Sequence, residues 1–189
     1  MKLLILLLAA VSLHAQGTIN WDGKYELQLS DFKSEATQIG GTQLYGLHLG
    51  GGAQFSFSMT RAEFIFTKNF NAKVSNTFDP YASSITAPDE QIAGCLVAFA
   101  RYGFDLSELY ARKMRQKLYE EKSAFSDASF FEPVAREIER EKEQRFNRVA
   151  KLADMGRKTD VLEAEHELVR REIQDMSDFC KECKIRKKR

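Results

Sequence analysis

Between residues 18 and 78, short stretches of this chain place apolar residues at every second position, the spacing of a half-buried strand. Tyr25, Leu27 and Leu29 alternate with Glu26 and Gln28, and Phe55 and Phe57 flank Ser56. Phe64-Ile65-Phe66 is a further strand-like stretch, and residues 73–78 alternate more weakly. Gly50-Gly51-Gly52 stands between two of these stretches and predicts a hairpin turn, because glycine enters positive φ at little cost. No Lys-Ser or Lys-Thr follows the run, so it is not a phosphate-binding loop.

Past Pro80 and Pro88 the period becomes helical. Behind Asp89, a natural N-cap, Ile92, Cys95, Leu96, Phe99, Leu106, Leu109, Tyr110, Met114 and Leu118 predict one long helix reaching about Lys122. Arg112, Lys113, Arg115, Lys117, Glu120 and Glu121 are expected on its solvated face. A second helix is predicted from near Phe130, with Pro133 in its first turn and Val134, Ile138, Phe146, Val149 and Leu152 on one side. Gly156 is placed to end it, and Thr159 to cap a third helix through Val161, Leu162, Leu168, Val169, Ile173 and Met176. So short a link predicts an antiparallel pair, with outer faces dense in Glu, Arg and Lys. The expected fold class is α+β: an N-terminal antiparallel β-sheet packed on a long helix, followed by a C-terminal α-helical hairpin.

The first residues add a compartment. Lys2, an apolar run over residues 3–11 and the small residue Ala15 read as a secretory signal peptide, too short for a span of roughly 20 residues. The expected organisation is a signal peptide at 1–15, an α+β domain at 16–125, a helical hairpin extension at 126–179, and a CxxC with a basic tail at 180–189. The chain carries 28 basic and 27 acidic residues, so losing Lys2 makes the balance neutral, which argues against a nucleic-acid partner. In an oxidising compartment Cys180 and Cys183 are candidates for a local disulfide; the sharper readings, a redox centre or zinc site, lack a βαβ context and two further ligands. Cys95 reads as a small core residue. The tail at residues 184–189 reads as solvated, with contact to an anionic membrane surface as the weaker alternative.

Much chemistry is missing. After processing only His48 and His166 remain, and no two histidines stand four apart around a glutamate as an HExxH zinc site requires. Each reads as a surface or core-edge residue. There is no G-x-S-x-G elbow, and the paired carboxylates of the helices suit surface pairing.

Residues 104–118, Phe-Asp-Leu-Ser-Glu-Leu-Tyr-Ala-Arg-Lys-Met-Arg-Gln-Lys-Leu, resemble the stretch after the metal motif in a bacterial family of predicted secreted zinc-dependent proteases. That motif reads approximately H-E-Q-x-H-F-D-I-x-E-L-x-A-R-K-L-R. Residues 29–33 are similar to the family's W-x-D-F-x-G opening, with Leu29 in place of Trp. Ala36-Thr37-Gln38-Ile39 is similar to its A-x-T-x-x-x-I, and Phe78-Asp79-Pro80 leading to Ser84-Ile85 to its F-x-P-x-x-S-x-V. The resemblance implies a zincin-like frame. It also puts Phe99 and Gly103 where the zinc histidines would stand, Ala100 where the general base would stand, and Met155-Gly156 nearest a further histidine. Asp105, Glu108 and Arg112 match retained positions and are expected to serve helix packing. The implied protein is a pseudoenzyme with no catalytic residues, metal or cofactor, acting as a binding or structural component of the cell envelope, with the charged hairpin facing a protein partner. The alternative is a periplasmic hydrolase with a rebuilt site, such as His48 with carboxylates of the long helix.

Overall fold

The computed structural model describes residues 17–55, 59–123 and 126–185. The signal peptide read at residues 1–15, Phe57 and the last four basic residues lie outside them.

The fold is α+β. Strands β1 (Ile19–Asn20), β4 (Gly51–Phe55) and β5 (Val74–Phe78) form an antiparallel sheet in the order β1-β5-β4. Strands β2 (Gln38–Ile39), β3 (Gly46–His48) and β6 (Ser84–Ala87) form another in the order β2-β6-β3, with β2 parallel to β6. The expected single sheet is therefore two, one of them mixed. Gly50-Gly51-Gly52 is where the chain crosses between them and not a hairpin turn, because β3 pairs with β6 while β4 pairs with β5. The backbones are too close there for side chains: a Cβ on Gly50 would lie 2.5 Å from that of Ala82, and one on Gly51 2.4 Å from the Thr77 carbonyl oxygen.

Two strand expectations fail for local reasons. Residues 25–29 bury Leu27, but side chains take the place of a ladder: Asp22 accepts from the amides of Lys24 and Tyr25, Asp31 from that of Gln28, and Arg101 donates to the Leu27 carbonyl. Phe64-Ile65-Phe66 lies in a helix, α1 (Arg61–Phe66), because Thr60 and Glu63 form a capping box with bonds of 2.6 and 3.2 Å.

The long helix α2 (Glu90–Glu121) runs 32 residues, about 48 Å, with Asp89 accepting from the Ile92 amide at its start. Alongside it lie α3 (Phe131–Leu152), with Pro133 in its first turn, and α4 (Thr159–Asp175). Asp105 meets His166 and Arg112 meets Ile173, both 61 residues apart, so α4 runs parallel to α2. α3 is antiparallel to both: Phe99 packs on Phe146, Lys117 pairs with Glu137, and Arg148 and Arg145 reach Glu165 and Glu172 of α4. Thr159 is the first residue of α4 and not its cap; Lys158 holds that position and makes no side-chain cap bond. The hairpin shares one core with the sheet side, a cluster running from Phe70 and Val74 through Phe99 and Leu106 to Val149, Leu162 and Val169.

Because sheets and helices surround α2, part of its charged face is buried, contrary to expectation. Arg115 is fully buried, and Glu108 and Arg112 are nearly so. Glu108 Oε1 accepts from Arg115 Nη1 at 2.8 Å and Arg112 Nε at 3.0 Å. Arg115 also donates to the carbonyls of Val74 and Phe179, and Arg112 to those of Ile173 and Met176. Two cations thus share one carboxylate, and the carbonyls at the negative end of α4 take up the excess charge. Lys113, Lys117, Glu120 and Glu121 keep access to water. Arg115→Ala is expected to lower the unfolding free energy by about 3–5 kcal/mol in urea denaturation, since it leaves Glu108 buried with half its pairing gone. Adding Glu108→Leu should cost less than the sum of the two single changes.

Candidate functional site

One turn of α2 carries the positions that the resemblance assigns to zinc chemistry. Phe99 is fully buried, its ring 5.0 Å from that of Phe146 and stacked on Tyr102 at 5.7 Å. Ala100 is equally buried, in the cluster that holds Ile85 and Phe104. A Cβ on Gly103 would lie 2.8 Å from Leu49 Cδ1 and 3.0 Å from Phe146 Cε2. Gly156, at φ 97 in the turn between α3 and α4, is as tightly enclosed: its Cβ would fall 2.3 Å from the Cys95 carbonyl oxygen and 3.3 Å from Phe99 Cβ. Phe99 is thus touched from two directions, by the turn at Gly156 and by Phe146, which also lies against Gly103. None of them offers a lone pair from its side chain, and aromatic hydrocarbon fills the space.

A cleft of about 460 Å³ opens beside Gly103. The β3 to β4 crossing, Gly103 and Ser107 of α2, and Glu139, Lys142, Glu143, Phe146 and Asn147 of α3 line it. Ser107 is only 6% exposed, and its hydroxyl has no hydrogen-bond partner. Gly52 keeps the space in front of it open, since a Cβ there would sit 3.6 Å from Ser107 Oγ and 3.8 Å from Lys142 Nζ. Lys142 is itself paired with Glu139 at 2.6 Å. His48 lines the same cleft, but the carboxylates sharing it come from α3; Asp105 and Glu108 of the long helix bond elsewhere.

His166 stands at the core edge. Its Nε2 is 2.7 Å from Asp105 Oδ2, while Trp21 Nε1 donates to Asp105 Oδ1 at 2.7 Å and Arg170 lies 3.6 Å away. The Tyr102 ring meets His166 edge-on, and the Arg112 guanidinium lies 5.4 Å over Trp21. Burial pushes the Asp105 carboxyl up, but hydrogen bonds from His166 and Trp21, with the charges of His166 and Arg170, hold it below its ordinary value of 3.8. Burial also pushes the Tyr102 phenol up. Sequence reading picked out Asp105 but missed its partners Trp21 and Arg170. The lone tryptophan was the available signal, because a buried indole N–H needs an acceptor.

Cys180 and Cys183 form a disulfide, and Cys95 is a half-buried free thiol. The disulfide loop is docked onto the domain: Asn69 and Asn71 donate to the Cys183 carbonyl at 3.3 and 3.0 Å, and Asn71 also to that of Asp178.

No known protein family, curated protein or solved structure matches the chain. Among the described residues no group of three or more His, Cys, Asp or Glu is placed to hold a metal ion, and no helix is long and apolar enough to cross a membrane.

Asp105→Asn should lower stability by about 2–3 kcal/mol at pH 7, since it removes a charge-assisted bond to His166. A depressed carboxylate contributes stability above its unfolded value and loses it as pH falls through the folded one. Denaturation across pH should therefore show the gap between wild type and Asp105→Asn intact above pH 5 and narrowing below the ordinary value of 3.8.

Proposed function

We propose that this chain is an exported, non-catalytic protein of the cell envelope, a pseudoenzyme on a zincin-like frame whose cleft binds a ligand without cleaving it. The observation that carries this reading is how Phe99, Gly103 and Gly156 are packed. The family resemblance puts the two zinc histidines at Phe99 and Gly103 and a further histidine nearest Met155-Gly156; Gly156 lies against Phe99, and Phe146 packs both on Phe99 and against Gly103. A zinc ion needs nitrogen, oxygen or sulfur donors, and an apolar ring in its place supplies none. What stays open is the adjoining cleft, whose apolar lining of Leu47, Leu49, Phe104 and Phe146, unpartnered Ser107 hydroxyl and Lys142 ammonium suit a small ligand with an apolar body and a polar end. A hydroxyl buried without a partner costs about 1–3 kcal/mol, which a bound polar group would recover. The charged outer faces of α3 and α4 suit a protein partner.

The second reading, a hydrolase with a rebuilt site, draws on His48, Ser107, Glu139 and Glu143 sharing the cleft. Elemental analysis and a broad peptide and ester substrate screen of the processed protein separate the two. We expect no stoichiometric zinc and no turnover. Tightly bound zinc with zinc-dependent cleavage would overturn the proposal, and turnover abolished by His48→Ala would establish the second reading.

A further inference from the structure

The cleft beside Gly103 draws its charge from a single helix. Apart from His48, the ionisable side chains that line it are Glu139, Lys142 and Glu143 of α3. Glu139 stands three residues before Lys142 and four before Glu143, so all three share one face of that helix. The Lys142 side chain is only 20% exposed and pairs with Glu139 at 2.6 Å. An ammonium has three protons, and this pair leaves it with donors to spare. Glu143 enters no ion pair among the described residues. The lining therefore holds one cation and two anions, with donor capacity left on Lys142 and a whole carboxylate left on Glu143.

A second donor is the Ser107 hydroxyl, buried without a partner. A Cβ on Gly52 would lie 3.6 Å from Ser107 Oγ and 3.8 Å from Lys142 Nζ, so the hydroxyl and the ammonium are at most about 7.4 Å apart. One carboxylate closes such a gap, each of its oxygens accepting from one donor at about 2.8 Å. Gly52 has a φ of 112, a conformation that suits glycine, and the gap stays clear of side chains. Leu47, Leu49 and Phe146, each half-buried, line the same cleft with hydrocarbon. Its volume of about 460 Å³ lies near the small end of ligand sites, which run from roughly 300 to 1,000 Å³. That is the scale of one amino acid and not of an extended peptide.

We propose that the ligand of this cleft is a free α-amino acid with a large apolar side chain. Its carboxylate accepts from Lys142 and Ser107, its ammonium donates to Glu143, and its side chain lies against Leu47, Leu49 and Phe146. The balance of charge selects a zwitterion. A simple carboxylic acid would bring a third anion beside Glu139 and Glu143, and a simple amine would bring a second cation beside Lys142 with no acceptor for the protons left there. A zwitterion pairs both its ends and leaves the net charge of the cleft unchanged. The inference rests on the reading of the cleft as a ligand site and adds the class of ligand.

The test is titration calorimetry of the processed protein with L-phenylalanine and L-leucine, with amide NMR shifts to locate the ligand. Three further probes each lack one feature: N-acetyl-L-phenylalanine has no ammonium, L-phenylalanine amide no carboxylate, and glycine no apolar side chain. The expected result is binding of the two apolar amino acids, roughly tenfold or more weaker binding of each further probe, and shifts at Gly52, Ser107 and Lys142. Lys142→Met and Glu143→Gln should each weaken phenylalanine binding roughly tenfold with an unchanged circular dichroism spectrum. The first variant should no longer prefer phenylalanine to its amide, and the second should no longer prefer it to the acetylated probe. An acetylated or amidated probe that binds in the cleft as tightly as phenylalanine would overturn the amino acid and leave the cleft a ligand site. No binding of either amino acid, or shifts confined to residues outside the cleft, would overturn it as well. Turnover in the peptide and ester screen would instead strike the non-catalytic reading and leave the calorimetric result standing.

Discussion

The fold is organised around a carboxylate shared by two guanidinium groups. Glu108, Arg112 and Arg115 lie on one stripe of α2 that the rest of the fold covers, and ions in such a place must be fully paired. The pairing reaches outward to four backbone carbonyls, at the start of β5, at the end of α4, and in the segment leading to the disulfide. One cluster therefore fixes the first sheet, α4 and the C-terminal segment relative to α2. Without it the turn after α4 would leave buried carbonyls unsatisfied, and Cys183 would not be delivered to Asn69 and Asn71.

A second constraint acts nearer the start of the same helix. Phe99, Phe146 and Tyr102 make an aromatic contact where α2, α3 and the turn at Gly156 meet, and the close approach of that turn excludes any side chain at Gly156. In a metal site, ligand bonds would hold such distant parts of a chain together. Here dispersion and burial do so, and truncating a buried phenylalanine of this kind typically costs about 3–5 kcal/mol. The glycines at 51, 52 and 103 then leave the neighbouring cleft open while Phe99 closes the space beside it. Open cleft and closed core are one arrangement, since Phe146 both packs on Phe99 and borders the cleft at Gly103.

Helices were legible in the sequence because each repeats its pattern over many turns: Asp89 capped α2 as read, and Pro133 and Gly156 marked the limits of α3. Short elements were not, since three residues such as Phe64-Ile65-Phe66 fit either period; the Thr60 and Glu63 pair that decides the matter was present but not weighed. The triple glycine gave a turn by conformational freedom alone, whereas its role, a crossing between sheets, depends on which strands pair across long separations.

At the candidate site the division is similar. The sequence by itself determined that no histidine pair could hold a metal on α2, and that the long helices and their apolar faces would form, because those follow from residue identity and local spacing. Only the tertiary structure decided that Arg115 is buried while Lys117 is not, that Asp105 faces His166, that Gly156 lies against Phe99, and that the disulfide loop docks on Asn69 and Asn71. Each of these depends on contacts between segments far apart in the chain, and periodicity along one segment carries no information about what another will cover.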